Sequence, residues 1–399
     1  MVRTAEPDTG RRRVVAKPPY SVPSMADVRS TPPAGLRVVS TFSGAGGSCL
    51  GFALAGYRTV YANEFVDLAA ETYAANAPDV PLDRRDIREV TGESVRELAQ
   101  LDGEIDVLEG SPPCASFSAC GRGAEGWSVE RPYSGTTQRV DDLFWEFARL
   151  RDELRPRAFV AENVQGLIRG VSRGYFKEII ARLGEGYRVE ARVLDAQWLG
   201  VPQARRRVIF IGVRDDLDGS PAFPKPLPYR YSIADALPGL RSVSARNGPN
   251  FRRQANPLSR PANTLTADEQ MRWEVNGAER TESDPETGER ITLDGYAIAP
   301  AYDELRPGEG SDRYLNLVRS SFHRPAPTIT AVTNVGAAAL THPSERRKFT
   351  LGELRALASF PADFTLTGTY RQRAERIGRA VPPLMMRAIA TTIRDEVLT

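Results

Sequence analysis

Between Leu36 and Val213 the chain alternates short apolar runs with stretches of helical spacing, and few architectures accommodate that alternation. Leu36–Phe42, Arg58–Ala62, Asp106–Leu108 and Ala158–Ala161 read as strands, whereas Val66–Ala75, Asp142–Leu154 and Tyr175–Leu183 read as helices. Val189–Leu194 and Val208–Val213 form a further pair of strands. Parallel strands need a crossover, usually a helix, so the alternation predicts an α/β fold on a doubly wound, mostly parallel sheet.

The pattern breaks after Val213. Prolines and glycines crowd Pro221–Pro261, and Thr281–Gly295 is polar and turn-rich, so residues 214–344 are expected to form a second, smaller domain. Residues 36–213 are then the first domain. Met385, Ile389 and Ile393 fall four apart just after Pro382-Pro383, which predicts a helix in a C-terminal segment, 345–399, that returns to the first domain. Residues 1–35 carry Arg11-Arg12-Arg13 and prolines without periodicity and are expected to be a disordered tail.

Composition narrows the class. No run approaches the roughly 18 apolar residues of a membrane span, and the N-terminal charges flank no apolar signal-peptide core. Three cysteines at unrelated spacings cannot make a disulfide framework, and two histidines cannot populate a metal site. The expectation is a cytoplasmic protein with no membrane and no metal. Net charge is only +2, but residues 201–262 hold 11 Arg or Lys against 4 Asp or Glu, and residues 263–312 hold 4 against 13. A basic segment beside an acidic one suits a phosphate-facing surface with an outward-facing counterpart.

Several clusters carry chemistry. Phe42-Ser43-Gly44-Ala45-Gly46-Gly47 follows a strand and precedes a helix, where glycines let the backbone approach a ligand. The next glycine, Gly51, lies two places beyond the position of a dinucleotide fingerprint, which argues against a nicotinamide or flavin enzyme. Twenty residues after Gly44, Glu64 ends the second strand, where a carboxylate can accept both hydroxyls of a ribose. Asp86 could take an adenine amino group. Together these positions suggest an adenosine-containing ligand.

Gly110-Ser111-Pro112-Pro113-Cys114 reaches the same sheet edge, and two prolines fix the backbone before a cysteine that could act as a nucleophile. Cys49 and Cys120 lack such a setting. Glu162, in Ala161-Glu162-Asn163-Val164, follows an apolar strand and could donate a proton. In Gln203-Ala204-Arg205-Arg206-Arg207, period-two alternation sets Arg205 and Arg207 on one side, where they could bind a carbonyl or a phosphate.

In this order, with Arg324-Pro325-x-x-Thr328 and Gly378-x-x-Val381-Pro-Pro following, the motifs resemble those of the bacterial C5-cytosine DNA methyltransferases over residues 36–399. The resemblance implies the S-adenosylmethionine-dependent methyltransferase sheet, with S-adenosylmethionine as donor and cytosine in double-stranded DNA as acceptor. It assigns catalysis to Cys114, Glu162, Arg205 and Arg207. The donor falls to Phe42, Gly44, Gly46, Glu64, Phe65, Asp86, Ile87, Pro113, Leu143, Arg379 and Val381.

The segment between the Gln-x-Arg-x-Arg strand and Arg324 corresponds to the target-recognition region, with Gln203, Arg246, Arg252 and Arg253 as candidate DNA contacts. A restriction endonuclease acting on the same site is the implied partner. An earlier copy of the late motif, Arg260-Pro261-Ala262-Asn263-Thr264, competes with Arg324–Thr328, and motif order favours the later one. Two departures stand out: Ala115 replaces the usual Gln after the cysteine, and Arg379 replaces the usual Asn after Gly378. Neither Cys114 nor Glu162 is altered. An RNA-methylating relative would differ around Pro112-Pro113-Cys114, and a catalytically silent DNA-binding relative would need a lesion there or at Glu162.

Overall fold

The computed structural model describes residues 16–113, 143–238, 281–314, 317–331 and 340–398. Outside these ranges it gives the backbone of short strands at Arg3–Thr4, Arg131–Tyr133, Thr136–Gln138, Val243–Arg246, Gln254–Ala255 and Arg272–Val275.

The predicted strands form one sheet. Its members are β1 (Arg37–Thr41), β2 (Arg58–Asn63), β3 (Leu82–Asp83), β4 (Val107–Gly110), β5 (Ala158–Val164), β6 (Tyr187–Asp195) and β7 (Arg206–Arg214). Their spatial order is β6-β7-β5-β4-β1-β2-β3, with Arg3–Thr4 added parallel to β6 at the edge. β7 runs antiparallel to both its neighbours, and the pairs among β5, β4, β1, β2 and β3 are parallel. Chain order reverses at β1, which sits between β4 and β2, and such a switch point opens a crevice at the carboxyl ends of the strands.

Both faces of the sheet are buried, and the strands divide their residues between two cores with period two. Val38, Val107, Ala158, Ile209 and Ile211 face one core. Val39, Leu108, Phe159 and Phe210 face the other. The first core is closed by α2 (Gly47–Leu54) and α11 (Pro383–Glu396), and it includes Phe52, Met385, Ile389 and Ile393. The terminal helix thus forms where the apolar stripe predicts. The second core takes α5 (Leu143–Leu154) and α6 (Arg173–Leu183) through Phe144, Phe147, Ile179 and Leu183. The remaining helices are α1 (Met25–Ser30), α3 (Asp67–Asn76), α4 (Gly92–Leu98), α7 (Ile233–Ala236), α8 (Ala299–Glu304), α9 (Leu351–Leu357) and α10 (Tyr370–Arg379).

A third core joins Ile233, Ile291, Phe322 and Ile329 to Phe349, Leu354 and Ile377. So α9 and α10 pack with the region after the sheet, and within residues 345–399 it is α11 that closes the sheet face.

The expected disordered tail needs correction over residues 16–35. Ser24 and Asp27 form a capping box that starts α1, and the Met25 amide donates to Asp363 at 3.0 Å. Met25 and Val28 enter the third core, Lys17 pairs with Asp235 at 2.6 Å, and the Tyr20 hydroxyl donates to the Ala356 carbonyl at 2.7 Å. Order here comes from distant partners, which local periodicity cannot reveal. Among the described residues, no helix is long and apolar enough to cross a membrane.

Candidate active site

The crevice at the switch point is a cleft lined from the ends of β1, β2 and β4, the start of α5 and the end of α10. The loop after β1 forms its floor. Phe42, Gly44 and Gly46 have positive φ angles of 52°, 56° and 90°. That conformation is easy for glycine and strained for Phe42, and it turns the backbone sharply into α2. The loop is held from β2: Glu64 accepts the Gly44 amide on Oε2 and the Val66 amide on Oε1, each at 2.7 Å. Burial raises the Glu64 pKa, while the two amides and the charge of Arg379 oppose the rise.

Of the residues expected at the donor, Phe42, Gly44, Glu64, Phe65, Asp86, Ile87, Pro113, Leu143, Arg379 and Val381 all line this cleft. Phe65 is 38% exposed, a large aromatic face open at the rim. Asp86 caps the short helical turn Ile87–Glu89 and pairs with Arg88 at 2.9 Å. Gly46 instead lies against the Tyr73 ring, which a Cβ would approach to 3.2 Å. The end of α10 forms the far wall, and the junction is tight. A Cβ on Gly47 would lie 2.3 Å from the Val381 carbonyl oxygen.

Beside the cleft, β5 and β7 bring a second group together. Arg207 Nε lies 2.8 Å from Glu162 Oε1, and both side chains are largely buried. Asn163 Nδ2 donates to the Pro112 carbonyl at 3.1 Å, which pins the Pro112-Pro113 loop to the end of β5. Cys114, next along that loop, lies outside the described residues, as do Ala115, Cys120, Arg252 and Arg253. Arg246 belongs to a strand described by its backbone.

Two expected functional side chains have another occupation. Gln203, expected at the DNA, is 1% exposed; it accepts the Ile329 amide at 3.2 Å and lies 3.5 Å from the Leu357 carbonyl. Arg205, expected in catalysis, is 2% exposed and donates to the carbonyls of Ile329 (2.9 Å), Gly378 (3.0 Å) and Arg379 (3.3 Å). β7 begins at Arg206, so the period-two rule does not extend back to Arg205. Arg205 thereby holds the end of α10, and Gln203 ties the same Ile329 segment to the end of α9.

Sequence reasoning missed Glu109. It is 2% exposed on β4 and accepts from Ser40 Oγ and, at 3.8 Å, from Cys49 Sγ. Ser40 in turn shares a 2.7 Å hydrogen bond with Ser43, which lines the cleft together with Ser48. Burial pushes the Glu109 pKa up to about 7, and the charge of Glu162 adds to the rise. The signal was a carboxylate inside the apolar run Val107-Leu108-Glu109, since such groups are rarely buried without partners. Arg376 was missed as well, and it lines the cleft beside Arg379.

Comparison with known proteins agrees with this geometry. Residues 36–395 match the family described as C-5 cytosine-specific DNA methylase. The Type II methyltransferase M1.HphI of Haemophilus parahaemolyticus is 31% identical over 364 residues, covering 90% of this chain and 86% of its own. The Type II methyltransferase M.Sau96I of Staphylococcus aureus is 30% identical over 358 residues, covering 89% and 75%. Among solved structures, a protein described as a DNA modification methyltransferase encoded within an Escherichia coli prophage shares the fold at a TM-score of 0.65. It is 24% identical and covers 91% of this chain and all of its own. Spodoptera frugiperda DNMT2 shares the fold at a TM-score of 0.57 with 15% identity, covering 88% and 97%. The chain belongs to the C-5 cytosine-specific DNA methylase family.

Proposed function

We propose that the protein methylates C5 of a cytosine flipped out of duplex DNA at a specific site, taking the methyl group from S-adenosylmethionine. The observation that carries this reading is the adjacency of two structures: the switch-point cleft with its Glu64-held loop, and the Glu162–Arg207 pair beside the loop that leads to Cys114. The cleft residues fit the donor. Phe65 offers an aromatic face for adenine, Asp86 an acceptor for its amino group, and Glu64 a carboxylate near the ribose. Bound there, the donor supplies an electrophilic methyl on a positively charged sulfur.

Cytosine C5 is too weak a nucleophile for that methyl unaided. The Cys114 thiolate adds to C6, and the ring becomes an enamine whose C5 electron pair forms the new carbon–carbon bond. Glu162 stabilises the charge that moves toward N3, by proton or by hydrogen bond, and Arg207 orients Glu162 and holds the base carbonyl. A base then removes the C5 proton, the C5–C6 double bond re-forms, and the thiolate leaves. A base in a duplex cannot reach Cys114, so the cytosine must leave the stack.

Residues 36–213, with residues 376–381 and α11, carry the chemistry in this reading, and residues 214–322 carry recognition. Arg246, Arg252 and Arg253 contact DNA, mostly at phosphates. The relatives' Type II names suggest a restriction endonuclease acting on the same site as partner. The test is a duplex with 5-fluorocytosine at the methylated site, mapped first by bisulfite sequencing. Fluorine blocks the final elimination, so the wild type should form an adduct stable to denaturant through Cys114, and Cys114→Ser should form none. Attachment at Cys49 or Cys120 would overturn the assignment.

A further inference from the structure

We propose that Arg376 and Arg379 form the seat for the carboxylate of the methyl donor's amino-acid end, and so select a donor that carries it. The inference rests on the reading that this cleft holds S-adenosylmethionine. Among the described residues lining the cleft, the basic side chains are these two. They stand three apart on α10 and so share one face of the helix.

Arg376 is 4% exposed. One of its terminal nitrogens donates to the Thr367 carbonyl, whereas its Nε is buried with no hydrogen-bond partner among the described residues. A buried N–H without a partner is costly, so Arg376 is a cation kept at this wall at some expense to stability. Arg379 is anchored by Nε to Glu375 at 2.9 Å, and its charge reaches Glu64 across the cleft. That anchor fixes the Arg379 guanidinium, Arg373 pairs with Glu286 at 3.6 Å, and Glu375 and Glu71 lie near enough to act on the charge of Arg376.

The start of α2 packs against this same wall. Gly47 and Ser48 line the cleft there, and no side chain caps Gly46, so the positive end of the helix dipole points to the same space. Two guanidinium groups and a helix N-terminus make a carboxylate site.

The test is calorimetric and needs no turnover. S-adenosylhomocysteine is compared with its decarboxylated analogue, which keeps the adenosine, sulfur and amine, on the wild type and on Arg379→Met and Arg376→Met. The wild type should prefer S-adenosylhomocysteine by about tenfold or more, the worth of hydrogen bonds to a charged group. In each variant that preference should collapse toward parity, with the analogue's affinity unchanged. Arg379→Met, at a partly exposed side chain, carries the test if Arg376→Met does not fold. An undiminished preference in folded Arg379→Met, or equal binding of both ligands by the wild type, would overturn the proposal. Binding of neither ligand by the wild type would instead overturn the reading of the cleft.

Discussion

Arg205 donates to the carbonyl oxygen of Gly378 at 3.0 Å, across 173 residues of chain. With Ile329 and Arg379 as further acceptors, one buried side chain ties the entry to β7 to the cleft's far wall. Arg205→Ala should leave these carbonyls without a donor and cost about 3 kcal/mol or more, read as a lowered urea midpoint. Arg205→Lys should recover part of the loss. A variant as stable as the wild type that loses turnover alone would return Arg205 to a catalytic role.

Glu109 should give the fold a pH dependence. Its pKa rises from 4.5 in the unfolded chain to about 7 in the folded one, so between those values the native state holds a proton that the unfolded state has lost. Stability contributed at low pH therefore falls as pH rises through that window, by about 3 kcal/mol at most, and levels off above pH 7. Urea midpoints measured at pH 5 and pH 7.5 should converge more in Glu109→Gln than in the wild type. Equal slopes for the two proteins would show that Glu109 is already ionised in the native state.

Glu64→Ala should weaken S-adenosylmethionine binding at least about tenfold, since it removes the acceptor proposed for the ribose and frees the Gly44 and Val66 amides together. Glu64→Gln should fall between, because its amide oxygen can still accept one of them. Calorimetry decides, and an unchanged affinity in the alanine variant would relocate the donor.

Exchange of residues 214–322 for the matching region of a relative with another target should move the methylated sequence and leave donor affinity intact. Bisulfite sequencing reads the outcome. A chimaera that binds donor, is active and still modifies the original site would place recognition elsewhere.

The legible parts of this fold were those in which local pattern and burial agree. Val38 and Val39, or Phe159 and Val160, are apolar in succession because both faces of the sheet are covered, and that run is visible without a structure. The position of Glu64 and Phe65 at the cleft was legible for a similar reason, as they directly follow the strand end. The buried settings of Gln203 and Arg205 were not legible because their partners, Ile329 and Gly378, come from distant sequence. Residues 16–35 were misread on the same ground, since Asp363 and Asp235 supply the contacts that order them. Glu109 hid at the end of an apolar run, where its partners Ser40 and Cys49 belong to another strand and to the helix after it.

The close approach of Gly47 to Val381 also sets a schedule. During translation the glycine loop and Glu64 leave the ribosome early, while the wall that faces them waits for residues 376–381 and the helix behind them. A nascent chain therefore carries the floor of the cleft without its side. The cleft is therefore completed only when the last residues that line it have been made.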